Sequence, residues 1–277
     1  MRILLTGAGG QLGRALQSQL SRHQLTALDR GRLDITRLEA VRQALGSVAP
    51  ELVLNAAAYN AVDRAESDPE AAFRVNALGP RNLALAAAEA GAAILHVSSD
   101  YVFDGESQRP YHEFDPTRPL SAYGLSKLAG ELAVKELNPR HYLVRTAWLY
   151  AVGGKNFAHS ILEAARRSAE VRVVDDQSGS PTFVPHLARA MAGLIETGAF
   201  GTYHLAGSGG TSWHGLTRRL FDALQVRTPL RAVTTADFPR PARRPAYSIL
   251  TTWQDPQIRL PPWEDGVSEF AEELKAR

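Results

Sequence analysis

Short apolar runs alternate with longer amphipathic stretches through the first half of the chain. Residues 2–5, 25–28, 51–54, 92–97 and 142–145 have the length and apolar content of buried strands. The stretches between them, 11–21, 36–47, 69–90 and 121–137, are long enough for helices. Strand runs with helical spacers predict βαβ units and a parallel, doubly wound α/β sheet of Rossmann type. The Ala-rich segment 82–90 has high helix propensity, and Gly91 stands where a helix C-cap glycine would. The second half is less regular. Residues 156–168, 186–196 and 212–224 predict helices, 201–206 a strand, and 267–275 a closing amphipathic helix. Between them 229–262 carries Pro239, Pro241, Pro245, Pro256, Pro261 and Pro262 and predicts a loop-rich segment. A boundary falls near residue 150, and about 185–225 are expected to be able to return to the first unit.

Composition narrows the class. In 277 residues, 44% hydrophobic and 22% charged content is ordinary globular usage. The 31 Lys and Arg nearly balance 29 Asp and Glu, which gives no reason to expect a nucleic-acid partner. The absence of cysteine excludes disulfides, zinc ribbons, iron–sulfur clusters and thiol catalysis. The N-terminal apolar run is too short for a signal peptide, and no apolar run approaches the ~20 residues of a membrane span. A cytoplasmic protein without a membrane partner is the expectation.

The first strand runs into Thr6-Gly7-Ala8-Gly9-Gly10-Gln11-Leu12-Gly13. Gly7, Gly10 and Gly13 give the spacing G-x-x-G-x-x-G. That spacing lets the chain turn sharply, brings backbone N–H groups to a diphosphate, and starts a helix packed on the strand. A helix N-terminus adds a partial positive charge. A glycine-rich turn with no ligand is the competing reading; the place between strand and helix favours a dinucleotide. Residues 1–150 are therefore expected to be a dinucleotide-binding domain and 151–277 mainly a substrate-binding lobe. Asp29 ends the second strand run, where a carboxylate would bond an adenosine ribose, whereas the adjacent Arg30 would favour a 2′-phosphate. The choice between NADPH and NADH stays open. Asp34 and Ile35 follow, with Ile35 placed to flank an adenine. Gly154-Lys155 lacks the flanking glycine and hydroxyl of a phosphate loop, having Leu149 and Asn156 there, and no H-E-x-x-H occurs. His96 and His204 sit in apolar strand-like runs and read as core or backbone-bonded histidines.

Tyr123-Gly124-Leu125-Ser126-Lys127 places tyrosine and lysine at i and i+4, on one face of a helix. A free phenol titrates near ~10, and a neighbouring ammonium favours phenolate, which would suit Tyr123 to proton exchange with a carbonyl or alcohol. Alone, this pair is equally a surface helix pair. Two features strengthen it. Ser98-Ser99-Asp100 follows the fourth strand run, at the ligand edge of a doubly wound sheet, where a hydroxyl could bond a reacting carbonyl. Asn55-Ala56-Ala57-Ala58-Tyr59 follows the third run, and its small residues would let a flat cofactor lie near the backbone.

On these residues the chain resembles the extended short-chain dehydrogenase/reductase family and, within it, the dTDP-4-dehydrorhamnose reductases. The closer signals are Asn55 through Glu66 (NAAAYNAVDRAE), Ser98 through Phe103, Tyr123 through Glu131 (YGLSKLAGE), Arg145 through Tyr150, Asn156-Phe157, Asp176-Gln177-x-Gly179-x-Pro181-Thr182 and Arg244-Pro245. The resemblance spans nearly the whole chain. It implies NADPH- or NADH-dependent reduction of the 4-keto group of dTDP-4-dehydro-6-deoxy-L-mannose to dTDP-L-rhamnose. Tyr123 would donate the proton, Lys127 would lower its pKa and hold the nicotinamide ribose, and Ser99 would position the keto oxygen. The family often has threonine at that last position. Gly7, Gly10, Gln11, Leu12, Gly13, Asp29, Arg30, Asp34, Ile35, Ala58, Tyr59, Asn60, Tyr123 and Lys127 would line the cofactor. Ser99, Asp100, Trp148, Asn156 and Arg244 would meet the substrate. Some members form a magnesium-linked dimer through glutamates, one of them in the first helix after the glycine loop. That position is Ala15 here, although Glu264 stands in a matching stretch, so no metal is expected and an oligomer is left open.

Two other readings are an alternative sugar-nucleotide reductase or epimerase of the same family, and a non-catalytic NADP-binding regulatory subunit of the kind that partners methionine adenosyltransferase. The second-half motifs favour the rhamnose reaction, and an intact Ser99/Tyr123/Lys127 set weighs against the regulatory subunit. Arg240, Arg243 and Arg244 cluster in the Pro-rich segment. At least one is expected to face the substrate diphosphate, with a solvated loop as the alternative.

Overall fold

The alternation in the first half folds as a six-stranded parallel sheet. The computed structural model describes Met1–Arg277. Its first half runs β1 (Arg2–Thr6), α1 (Gln11–Gln19), β2 (Gln24–Leu28), α2 (Leu38–Val48), β3 (Leu52–Asn55), α3 (Val62–Ser67), α4 (Pro69–Phe73), α5 (Gly79–Glu89), β4 (Ala93–Ser99), α6 (Ala122–Leu137) and β5 (His141–Thr146). The second half adds β6 (Leu149–Tyr150), α7 (Phe157–Arg167), β7 (Val171–Val174), β8 (Ser178–Gly179), β9 (Thr182–Phe183), α8 (Val184–Thr197), β10 (Gly201–His204), β11 (Thr211–Ser212), α9 (Trp213–Leu224), β12 (Leu230–Val233) and α10 (Trp263–Lys275).

The main sheet has the order β10-β5-β4-β3-β1-β2, every pair parallel. Successive strand residues face opposite layers. Ile3 and Leu5 pack with Leu12 and Leu16 of α1 and with Leu187 and Met191 of α8. Leu4 and Val53 pack on the other face with Val41 of α2, Leu83 of α5 and Val134 of α6. Chain order reverses between β1 and β3, and the glycine loop leaves β1 at that switch.

The stretch expected as one helix over 69–90 is broken. Between α4 and α5, Arg74–Leu78 forms a π-helical turn that buries Asn76. Its side chain accepts from Tyr59 N at 2.8 Å and donates to Tyr59 O and Ser126 Oγ, each at 3.0 Å. The widened turn aims an amide inward that regular α geometry would point elsewhere. Gly130 of α6 then passes so close that a Cβ there would lie 2.1 Å from the Asn76 carbonyl oxygen.

The second half is not merely loops and helices. β7 pairs with β12 in parallel, and β8 with β11, so the Pro-rich segment opens on a strand that sequence periodicity does not reveal. A separate apolar cluster joins Ile161 and Leu162 of α7, Leu216 and Leu220 of α9, and Val267 and Phe270 of α10. β10 returns to the main sheet beside β5. No helix is long and apolar enough to cross a membrane.

Candidate active site

The carboxyl ends of the strands open into a cavity of about 820 Å³ between the sheet edge and the α7/α9 cluster. Gly7 adopts φ +74°, and a Cβ there would lie 2.5 Å from the Ala56 carbonyl carbon. A Cβ at Gly13 would lie 2.2 Å from the Gly7 oxygen. Both positions therefore exclude side chains so that β1, β3 and α1 can meet closely. Gly10 caps α1 with no side-chain hydrogen bond, and the first turn carries no acid. The opening N–H groups of α1 thus remain available to an anion.

Tyr123 and Lys127 reach the cavity from α6, and Ser99 and Asp100 from the end of β4. Ser121 caps α6 through Gly124 N at 3.1 Å, which fixes the helix start two residues before the tyrosine. A Cβ at Gly124 would lie 2.3 Å from the Tyr101 carbonyl oxygen, so glycine lets α6 close on the segment after β4. Ser99 Oγ donates to Asp100 Oδ1 at 3.0 Å, and Ser248 Oγ donates to Asp100 Oδ2 at 2.7 Å.

Burial sets the protonation states. It pushes the Tyr123 phenol up to about 12, against the facing Ser99 hydroxyl, which pulls it down. The Lys127 ammonium is pushed down to about 8, with the Glu131 carboxylate opposing. Its Nζ donates to the Val97 carbonyl at 2.6 Å. Desolvation is thus the dominant influence on the Tyr123 phenol, and the nearby Asp100 carboxyl adds to the rise. Burial raises Asp100 to about 6. His96, bonded to Asn55 Nδ2 at 3.0 Å, is pushed well below its usual value by burial and by Lys127, so it is neutral. His204 Nδ1 meets the Tyr111 and Thr251 carbonyls at 3.1 and 3.0 Å. Both histidines are core groups, as their surroundings suggest.

Of the residues singled out from sequence, Gly10, Gln11, Leu12, Gly13, Ala58, Asn60, Ser99, Asp100, Tyr123, Lys127, Trp148, Asn156 and Arg244 line this one cavity. Gly7, Asp29, Arg30, Asp34, Ile35 and Tyr59 lie outside its lining. Asp29 still borders the glycine loop, its Cβ 3.8 Å from where one on Gly9 would stand, and its Oδ1 accepts from Gly31 N and Arg32 N. Arg30 is exposed. Asp34 accepts from Thr36 N and Oγ1 at 3.0 and 2.8 Å. The Ile35 side chain is buried against Gly79. Asn156 spends its polar atoms on the protein, capping α7 and donating to Gln11 Oε1 and Ala151 O, both at 2.8 Å. Arg244 forks onto Asp63 at 3.0 Å through both amino groups, Arg240 lines the cavity, and Arg243 does not.

Sequence reasoning missed Trp213, Arg172 and Phe238, which also line the cavity. Trp148 takes φ +48° and stacks on Trp213, with ring centroids 3.4 Å apart and planes 3° from parallel. A Cβ at Gly179 would lie 2.4 Å from the Trp148 ring. The signal available was a tryptophan directly after an N-capping serine, Ser212, at the start of an amphipathic helix.

Residues 1–276 match the family described as RmlD substrate binding domain. A dTDP-4-dehydrorhamnose reductase of Streptomyces griseus is 46% identical over 260 residues, covering 90% of this chain and 85% of its own. Among solved structures, a dTDP-4-dehydrorhamnose reductase of Clostridium acetobutylicum superposes with a TM-score of 0.96 at 41% identity, over 99% of this chain and 100% of the other. One of Bacillus anthracis, in complex with NADP, gives 0.95 at 37% identity over 98% and 99%. With its site geometry and these likenesses in agreement over nearly the full length, the chain belongs to the RmlD substrate binding domain family.

Proposed function

We propose that the chain is an NAD(P)H-dependent oxidoreductase that reduces the 4-keto group of dTDP-4-dehydro-6-deoxy-L-mannose to give dTDP-L-rhamnose. The observation that carries this is the convergence of Ser99, Tyr123 and Lys127 on one cavity with the uncapped N-terminus of α1. Relatives named for this reaction, at 40–46% identity, support it.

The residues present fit a dinucleotide. Gly7 and Gly13 let β1, β3 and α1 close together behind the loop, the free α1 N–H groups would meet its diphosphate, and Asp29 borders the loop where a ribose would lie. When bound, the dinucleotide would supply the hydride to the sugar C4. Ser99 positions the keto oxygen and Tyr123 protonates it. A phenol held at about 12 keeps its proton throughout the neutral range, which is the form a reduction consumes. Lys127 would favour the phenolate left behind and hold the nicotinamide ribose. Asp100 and Trp148 would contact the sugar, and of the three clustered arginines at least one, Arg240 or Arg244 on the cavity wall, would face the substrate diphosphate. On this reading 1–150, with parts of 185–225, holds the dinucleotide, and the rest of 151–277 holds the sugar nucleotide. A reduced nicotinamide as co-substrate fits a cytoplasmic setting for the reaction.

The test incubates purified protein with the dTDP-keto-sugar and each reduced cofactor, following cofactor oxidation and product stereochemistry together. Oxidation matched by dTDP-L-rhamnose is the expected result. Cofactor binding without turnover of the keto-sugar overturns the proposal.

A further inference from the structure

Tyr123, Lys127 and Glu131 stand at i, i+4 and i+8 on α6, so they share one face of the helix. All three are buried, Lys127 at 2% exposure and Glu131 at 0%. An ammonium has three N–H donors, and Lys127 spends one on the Val97 carbonyl of β4. No carboxylate bonds it directly. The charge that favours its protonated form is Glu131, one helical turn on.

Glu131 is itself held from the sheet. Arg145 of β5 donates to it through Nε at 3.0 and 3.2 Å and through Nη2 at 2.7 Å. Arg145 is fixed in turn: Nη1 lies 3.4 Å from His204 Nε2 and 3.5 Å from the Glu113 carbonyl oxygen, and the Phe103 ring lies 5.2 Å from the guanidinium carbon. Register pairs Val97 with Val144 and Ser98 with Arg145, so the strands that supply the lysine's acceptor and the glutamate's clamp are adjacent. A fully buried ion pair is a weak source of stability, because desolvating two charges offsets their attraction, and apolar replacements often do as well. Its position one turn from Lys127 gives it a second use.

We infer that Glu131, clamped by Arg145, is a positioning residue for Lys127: it keeps the ammonium charged and seated beneath Tyr123, so that the cofactor and the phenol meet a cation. This rests on the reductase reading of the site. The other groups around the lysine are Tyr123 on its own helix, neutral His96 on β4, and Arg145 on β5, whose guanidinium is turned to Glu131. Atoms and electrons of the reaction are unchanged by Glu131, which acts through Lys127 alone.

The experiment measures the pH dependence of NADPH affinity by fluorescence titration, and of kcat and KM, in the wild-type protein, Glu131→Gln, Glu131→Asp and the double variant Glu131→Gln/Arg145→Gln. In Glu131→Gln the pH at which NADPH affinity and kcat fall off drops by about one unit, and kcat at the wild-type limb falls about tenfold with little change in the sugar KM. Glu131→Asp recovers part of the limb. The double variant keeps the lowered limb, because removing the guanidinium cancels an excess charge but does not return the partner of Lys127. A wild-type limb in the double variant means that Glu131 merely neutralises Arg145 and overturns the inference, as does an unshifted limb in Glu131→Gln. If thermal melting shows the double variant unfolded, Arg145→Gln decides: a limb that stays or moves up supports the inference, and one that moves down overturns it. A wild-type protein that binds neither reduced cofactor overturns the reductase reading and this inference together. Turnover with an unshifted limb overturns this inference alone.

Discussion

Lys127 Nζ donates to the Val97 carbonyl at 2.6 Å, which ties α6 to the strand that carries Ser99. The phenol of Tyr123, one turn away, carries no such tie to the ammonium. On the proposed reading Tyr123 would work as a proton donor that burial keeps loaded, and Lys127 as the cation that stabilises the phenolate left behind. Replacing Tyr123 by Phe removes the donor while keeping the ring that packs edge-on to Tyr101 at 5.5 Å. The turnover number should fall by about 10²–10⁴-fold, with NADPH affinity within about twofold of wild type on the same fluorescence titration.

Asp100 sits at 2% exposure with its carboxyl raised to about 6 by burial. A carboxyl whose folded pKa exceeds its unfolded value of 3.8 binds more protons in the native state between those values, so it costs stability as pH rises from about 4 to about 6. Asp100→Asn should stabilise the fold at neutral pH by at most about 3 kcal/mol. The gain should shrink as pH falls through 6 towards 4. Urea unfolding at several pH values checks this. Slower turnover should accompany the gain, because an amide has only one acceptor oxygen, whereas the carboxylate accepts from Ser99 on one oxygen and from Ser248 on the other.

Asn76 makes three hydrogen bonds from a π-helical turn to Tyr59 and Ser126. Asn76→Ala leaves both Tyr59 backbone groups without these partners. The expected loss is about 2–4 kcal/mol by urea unfolding, together with weaker cofactor affinity, since Ala58 and Asn60 flank Tyr59 in the chain and line the cavity.

Two glycines in helices should respond with opposite signs. A Cβ on Gly130 would lie 2.1 Å from the Asn76 carbonyl oxygen, a backbone atom that cannot rotate away, so Gly130→Ala should destabilise by about 1–3 kcal/mol. Gly46 in α2 has nothing within 4 Å of such a Cβ and is exposed. Gly46→Ala should stabilise by about 0.5–1 kcal/mol. Thermal melting of the two variants side by side reads both signs.

The main sheet was legible because β1, β3, β4 and β5 are largely buried runs with helix-length spacers, and the edge strand β2 keeps enough apolar residues to show. The glycine loop, Tyr123, Lys127 and Ser99 were legible because their spacing carries the chemistry locally. What escaped depends on partners distant in sequence. The two-residue strands β6, β8, β9 and β11 are too short to show a period. The π turn at 74–78 exists to bring Asn76 to Tyr59 and Ser126, and nothing in 69–90 alone marks it. That Ile35 fills the space Gly79 leaves in the core is likewise invisible in sequence, since the two lie in separate segments. The Trp148–Trp213 stack joins residues far apart in the chain, which only the fold brings together.

The central claim, that a hydride passes to the sugar while Tyr123 supplies the proton, is tested most directly by isotope transfer. The purified protein is given the dTDP-keto-sugar with NADPH deuterated on one face of the nicotinamide C4 and then on the other, and the product is analysed by mass spectrometry and NMR. Deuterium at the sugar C4 from one face alone, transferred about 10²–10⁴-fold more slowly in Tyr123→Phe, is the result predicted. Product with no deuterium from either face, or undiminished transfer in Tyr123→Phe, would contradict it.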